Sequence, residues 1–251
     1  HFKKSLKSFL MQAMLIPDRL RRLEEQPEIV KSLIDHTNLR PDATYEELAR
    51  TCEEAVKNEL FGCCIPLFFV SKAREITRDR VKVVTVVGFP HGNAPTRLKV
   101  EEARYAMESG ADEVDMVVNI SLVKSGRLNE ALEEVKQVLE LVHAYGGVLK
   151  VIEETGYLAD AEIVELTKEL ARAGVDFVKT STGFGPRGAS FEDMLAMRKG
   201  IEGSSTRIKA AGGIRTGLQA LLFYAMGADR IGTSSGVKVV NEAIRLLSKK
   251  G

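Results

Sequence analysis

From about residue 32 onward the chain alternates short β-branched apolar runs with longer stretches of helical periodicity, and it does so eight times. The strand candidates are S-L-I-D (32–35), L-F-G-C-C-I (60–65), V-K-V-V-T-V-V-G (81–88), E-V-D-M-V-V-N (113–119), V-L-K-V-I (148–152), D-F-V-K-T (176–180), R-I-K-A-A (207–211) and R-I-G-T-S (230–234). Between them lie helical patterns such as residues 44–57, with Leu48, Cys52, Ala55 and Val56 on one face, and residues 160–172, with Ile163, Leu166, Thr167 and Leu170. Such alternation predicts parallel strands joined by helical crossovers. A weak internal repeat supports stacked copies of one βα unit: S-G-A-D-E-V-D (109–115), A-G-V-D-F-V-K (173–179) and M-G-A-D-R-I-G (226–232) each place a helix-stopping glycine, then an aspartate, then a strand. Eight units closing into a (β/α)8 barrel is the simplest architecture. A doubly wound open sheet is the structural alternative, but it usually has fewer strands and an early glycine-rich dinucleotide turn, which this chain lacks.

At 251 residues such a barrel is a single domain. It is expected over residues 31–251, with residues 1–30 as an N-terminal helical extension that covers one end of the barrel or mediates assembly. A formal net charge of +1 leaves no electrostatic footprint for nucleic acid. With no apolar run of about 18 residues, no membrane partner is expected. The basic, apolar start of the sequence resembles a weak signal peptide, but no small-x-small cleavage site follows. Leu6, Leu10, Met14 and Ile16 read better as an amphipathic helix. Cys52, Cys63 and Cys64 are too close together and too odd in number for a disulfide framework, and predict reduced thiols in a cytoplasmic protein. They form no metal-ligand spacing with the four histidines, so no metal is expected. His36 and His91 are candidates for loop hydrogen bonding.

Two of the apolar runs end in a lysine and then break into glycine and hydroxyl residues: Lys179 in V-D-F-V-K-T-S-T-G and Lys209 in R-I-K-A-A-G-G-I-R. Burial disfavours an ammonium, so a lysine closing a buried strand either has a partner or is kept for chemistry that uses the neutral amine. In a barrel these two lie on adjacent strands near the catalytic end. Neighbouring strands are about 4.8 Å apart, so the amines can approach to about 6 Å. At an effective dielectric of about 20 their repulsion is then about 2.8 kcal/mol, enough to bring one amine well below a free pKa of about 10.4. A Schiff-base lysine is activated in this way by a second cation. The competing structural account pairs each lysine with a carboxylate, Asp115 or Glu154. Asp115, midway along the fourth strand, is equally an acid/base that relays protons and an ion-pair partner; both accounts put it beside a lysine.

Gly212 and Gly213 follow the seventh strand, and T-S-S-G (233–236) follows the eighth and opens a helix. Glycine-freed amides, serine hydroxyls and a helix N-terminus suit a dianion, at the strand ends where barrels bind phosphate. Glycine and serine are also ordinary loop punctuation, so the pair of segments carries the signal jointly.

These motifs resemble the deoxyribose-phosphate aldolases. The resemblance runs over roughly residues 31–240, through I-D-H-T-N-L-R-P-D-A-T, V-T-V-V-G-F-P-H-G, A-D-E-V-D-M-V-V-N, F-V-K-T-S-T-G-F-G-P-R-G-A, I-K-A-A-G-G-I-R-T and G-A-D-R-I-G-T-S-S-G. It implies a TIM barrel and a class I aldolase that reversibly cleaves 2-deoxy-D-ribose 5-phosphate to acetaldehyde and D-glyceraldehyde 3-phosphate. By motif, Lys179 is the imine-forming nucleophile, Lys209 the lysine that perturbs it, and Asp115 the proton relay. Gly183, Gly212, Gly213, Ser234 and Ser235 would hold the phosphate. No cofactor is implied, because the protonated imine is the electron sink. The partners implied are a sugar phosphate, aldehydes and further copies of the chain in a dimer or tetramer.

Asp35, Thr37, Asn38 and Cys64 match positions near the acetaldehyde end of the pocket. Asp35 equally suits a turn cap, Cys64 suits simple packing, and neither enters the catalytic set. The chain departs from the family pattern at Pro66 and Leu67, at Ala211, at its tyrosine-free C-terminal tail, and at Glu153, which alternation turns toward the helices. The alternatives are another Schiff-base aldolase acting on a different phosphorylated aldehyde, and a barrel that only senses a sugar phosphate.

Overall fold

Each of the eight apolar runs becomes a strand in the computed structural model, which describes residues 15–248. The helix expected through Leu6, Leu10 and Met14 lies outside the described residues. The strands are β1 (Ile34–Thr37), β2 (Gly62–Cys64), β3 (Lys82–Val87), β4 (Glu113–Val117), β5 (Val148–Ile152), β6 (Phe177–Lys179), β7 (Arg207–Ala211) and β8 (Arg230–Thr233). All neighbours are parallel, and β8 pairs with β1, so the sheet closes in sequence order into a (β/α)8 TIM barrel. Only β1 is displaced from its expected place, by two residues. Ser32 and Leu33 belong to a preceding 3-10 turn, Pro27–Leu33, in which the Ser32 hydroxyl donates to the Ile29 carbonyl at 2.7 Å.

The helices that matter below are α1 (Pro17–Glu25), α2 (Tyr45–Lys57), α7 (Asp160–Arg172), α8 (Phe191–Gly200) and α10 (Gly236–Ser248). Between α2 and α7 run α3 (Val70–Thr77), α4 (Thr96–Glu108), α5 (Ile120–Lys124) and α6 (Leu128–Ala144), and α9 (Gly217–Ala225) follows α8. Thr44 caps α2 in a reciprocal box with Glu47, which is why that helix starts where its apolar face begins. α1 docks outside the barrel, where Arg19 bonds Asp229 at 2.5 Å just ahead of β8.

The sequence repeat has a physical purpose. Gly110, Gly174 and Gly227 all have positive φ and end helices. The aspartate two residues on then accepts the backbone N–H of the preceding strand: Asp112 from Val83 (2.8 Å), Asp176 from Leu149 (2.8 Å) and Asp229 from Ile208 (3.0 Å). Three times, therefore, the start of an even-numbered strand is pinned to the strand before it.

The outward faces of the strands join the helices in one continuous apolar core. The inward faces differ. Cys64, Val84 and Val86 make a small separate cluster with Leu39 and Phe89, and much of the remaining interior is charged. Asp35, Glu113, Asp115, Lys150, Lys179, Lys209 and Arg230 are all buried there. Arg207 and Arg230 stack over Phe177 at the N-terminal end, at 4.0 and 5.2 Å from its centroid.

Glu153 faces the helices and is fully buried. Its Oε1 accepts from Thr167 Oγ1 on α7 at 2.7 Å, and Oε2 has no partner. Burial pushes its carboxyl well above the usual range, so the folded protein holds it protonated at pH values where the unfolded chain has ionised it. Stability from this group is therefore complete below about pH 4.3, the unfolded value, and drains away by about 1.4 kcal/mol per pH unit as pH rises toward the folded value. Glu153→Gln keeps the acceptor for Thr167 and removes the titration. The variant is expected to melt with the wild type near pH 4 and several degrees above it at pH 8, at about 2–4 °C per kcal/mol. A thermal melt across pH tests this; equal melting temperatures at pH 8 would refute it.

Candidate active site

Lys179 ends β6 and Lys209 sits at the centre of β7, and the register sets their Cα atoms side by side. Both amines turn inward and donate to one oxygen, Asp115 Oδ2, at 2.8 Å each. The two nitrogens thus lie at most about twice that distance apart, as strand adjacency requires. Asp115 Oδ1 is taken at 2.7 Å by a third lysine, Lys150 on β5, which also reaches Glu113 at 2.6 Å. Lys209 makes a very short contact with Asp35, and Arg230 closes the network on Asp35 (3.1 Å) and Glu113 (2.8 Å).

Four cations, Lys150, Lys179, Lys209 and Arg230, therefore face three carboxylates, Asp35, Glu113 and Asp115. In a medium of low dielectric the surplus charge falls on whichever cation gives up its proton most easily. That cation is Lys179. Burial lowers its pKa first, and of its charged neighbours Asp115 opposes the shift while Lys209 adds to it, leaving a net depression. Lys209 goes the other way: burial again disfavours its charge, but Asp115 and Asp35 outweigh burial and hold it an ammonium. Burial also raises the two aspartates, yet the surrounding cations prevail. Lys150, Lys179 and Lys209 keep Asp115 well below the carboxylate range, and Lys209, Arg230 and Lys150 hold Asp35 at about 2. The Cys64 thiol, buried beside the same groups, is pushed up to about 11, chiefly by burial.

A cavity of about 620 Å³ opens at the C-terminal ends of the strands and reaches this cluster at one point, Lys179. Among the described residues no other cation of the cluster lines it. Gly183, Gly212, Gly213 and Ser234 lie on the same wall system, as do Thr182, Phe184 and Arg215. Gly212 is obligatory: its φ is +88°, and a Cβ there would stand 2.9 Å from the Gly188 Cα across the loop contact. Ser235 does not line the cavity. Its N–H is used by Thr233 Oγ1 at 3.0 Å, and the next amide, Gly236, donates to His36 Nδ1 at 3.2 Å. The Ser235 and Gly236 amides are thus spent within the protein.

Several expectations are corrected by this geometry. Asp35 caps no turn with its carboxylate, which is fully buried on Lys209 and Arg230. Glu154 pairs with neither lysine; its carboxylate accepts from the Thr182 N–H and hydroxyl. His36 is a buried strand residue bonded to Glu54 at 2.7 Å, and not a loop group, whereas His91 borders a smaller cavity with Asn93 and Tyr157. Lys150 and Arg230 join the cluster without a sequence expectation, although a lysine between apolar neighbours in V-L-K-V-I is the same signal that marks Lys179. Among the described residues no group of three His, Cys, Asp or Glu side chains is placed to hold a metal ion, and no helix is long and apolar enough to cross a membrane.

Fold and site together define a (β/α)8 barrel with a lysine of lowered pKa at the floor of its mouth, an arrangement suited to imine-forming aldol chemistry. The model of the DeoC/LacD family aldolases matches residues 29–242, and the chain belongs to that family. Among its relatives are the deoxyribose-phosphate aldolases of Thermococcus gammatolerans, 46% identical over 217 residues covering 85% of this chain and 96% of that one, and of Thermotoga maritima, 49% identical over 214 residues covering 85% of each. The structure of the tetrameric deoxyribose phosphate aldolase from Aeropyrum pernix superimposes with a TM-score of 0.84 at 35% identity, covering 91% of this chain and 96% of the other.

Proposed function

We propose that this protein is a class I deoxyribose-phosphate aldolase that works through an imine on Lys179. The observation that carries the assignment is the unbalanced buried cluster, whose most loosely held proton belongs to Lys179, among the described residues the one cluster cation that reaches the cavity. Lys179 as a neutral amine adds to the C1 aldehyde of open-chain 2-deoxy-D-ribose 5-phosphate, and the carbinolamine takes up one proton by way of Asp115 and loses water to give a protonated imine. The C3 hydroxyl then gives up its proton to the Asp115 carboxylate. The C2–C3 bond breaks with its electron pair drawn into the imine, leaving an enamine and releasing D-glyceraldehyde 3-phosphate. Protonation of the enamine at C2 and hydrolysis release acetaldehyde and restore Lys179.

Asp115 carries protons between these steps, since its Oδ2 already accepts from the reacting amine. Lys209 remains the fixed charge that keeps the Lys179 proton weakly held. Gly183, Gly212, Gly213 and Ser234 are assigned to the substrate phosphate, with Ser235 contributing through the turn it braces. Residues 31–251 form the aldolase domain with residues 1–30 as an extension. Three free, buried cysteines support a cytoplasmic location, and the tetrameric relative supports a dimer or tetramer.

Borohydride reduction in the presence of acetaldehyde tests the assignment: an ethyl adduct on Lys179 is expected, and a folded protein that binds the sugar phosphate without any reducible adduct would be a sensor instead. The role of Lys209 is tested by pH. Lys209→Met removes a cation beside Lys179 and leaves Asp115 to act on Lys179 more strongly, and both effects raise the Lys179 pKa. The acid limb of the rate profile is expected to move to higher pH, with turnover at pH 7 down by at least about tenfold. An unmoved acid limb would refute it.

A further inference from the structure

The loop between β6 and α8, residues 183–190, carries one glycine of the phosphate wall and leans on another. Arg187 anchors it. The guanidinium forks onto the buried carboxylate of Asp193 on α8, Nη1 to Oδ2 at 2.6 Å and Nη2 to Oδ1 at 2.8 Å, and Nη2 also reaches the Thr155 carbonyl beyond β5 at 3.3 Å. Asp193 further accepts from Thr155 Oγ1 (3.0 Å) and the Ser190 N–H (2.9 Å), so one carboxylate ties together three segments. On the other side of the loop, the Ala189 N–H donates to both Ala211 and Gly212 carbonyls at 3.1 Å. Gly188 packs so closely on Gly212 that a Cβ there would lie 2.1 Å from its carbonyl oxygen. The β6 loop is therefore joined to the β7 loop through Gly188 and Ala189, next to the point where the Arg187 fork ties it to α8 and Thr155. Arg187 is partly exposed and is absent from the cavity wall.

We infer that Arg187 is a positioning residue for the substrate's phosphate: clamped on Asp193, it presses residues 183–190 against Gly212 so that the Gly183 and Gly212 segments form one rigid anion cradle. The inference rests on the aldolase reading for its substrate, but not for its anion. A bidentate fork supplies geometry that a single ammonium does not. Preorganisation of this kind shows in affinity for the anion and not in the imine chemistry at Lys179.

The test compares Arg187→Ala and Arg187→Lys with the wild type on 2-deoxyribose 5-phosphate and on unphosphorylated 2-deoxyribose, and measures inorganic phosphate binding by calorimetry. In Arg187→Ala the KM for the phosphorylated substrate is expected to rise about tenfold with little change in kcat. The preference for phosphorylated over unphosphorylated substrate should fall by about the same factor, and phosphate binding should weaken to match, with Arg187→Lys in between. Equal effects on both substrates, or phosphate binding as tight as in the wild type, would overturn the inference. If Arg187→Ala does not fold, Arg187→Lys decides it by the same ratio. If the wild type gives no acetaldehyde adduct, the aldolase reading fails, and the phosphate-binding comparison still judges the role of Arg187.

Discussion

Lys179→Leu is expected to yield no borohydride-reducible adduct with acetaldehyde and to lose cleavage of 2-deoxyribose 5-phosphate by at least about 10³-fold, the scale on which covalent nucleophiles fail when removed. It should nevertheless fold. The substitution takes the most weakly protonated amine from a cluster of four basic groups and three carboxylates, so three cations remain over three carboxylates, and a shorter aliphatic side chain replaces a desolvated amine. The melting temperature is therefore expected to equal or exceed that of the wild type, and phosphate binding to persist. Normal turnover by this variant would reassign the nucleophile. Loss of activity accompanied by unfolding would contradict the charge balance.

Asp115→Asn is expected to do the reverse, harming stability as well as rate. Its carboxylate is the shared acceptor of Lys150, Lys179 and Lys209, and removing its charge leaves four basic groups over two carboxylates in a buried cluster. Breaking a buried network in this way costs about 3–5 kcal/mol, or roughly 6–20 °C in melting temperature for a domain of this size. Turnover should fall by about 10²–10⁴-fold for want of the proton carrier, while acetaldehyde trapping on Lys179 persists, because the amine has lost the group that most favours its protonated form. Restoring the balance with Asp115→Asn/Lys150→Met should recover much of the melting temperature and little of the turnover, a coupling expected of residues in direct contact. Denaturation and trapping by mass spectrometry read the two effects separately. Additive losses in the double variant would show that charge balance is not what the network supplies.

The eight strands and the lysine pair were legible because their signals are local. Apolar runs of four to eight residues, glycine at helix ends and a lysine before a glycine-hydroxyl loop can each be recognised within a dozen residues. The partners of Asp35 and Lys150 are not legible in the sequence, because their meaning is not local. An aspartate before His36 and Thr37 looks like a cap, and a lysine in V-L-K-V-I looks like one more strand residue, until β1 and β5 converge on a common interior. Glu154 is a carboxylate that the sequence allows as a lysine partner, but its backbone is left-handed (φ +53°), and the side chain meets Thr182 instead. Ser235 shared a helix-start motif with Ser234, and only the loop's own hydrogen bonds distinguish which of the two faces the cavity.

By itself, then, the sequence determined the βα repeat and the two lysines that end up side by side, because periodicity and strand adjacency follow from backbone geometry alone. The tertiary structure decided which lysine has its pKa lowered and which is held as an ammonium. That choice depends on partners far apart in the chain, Lys209 with Asp35 across 174 residues and Arg230 with Glu113 across 117. Only closure of the barrel brings these charges within bonding distance, away from water, where the sign of the total decides which proton is held most loosely.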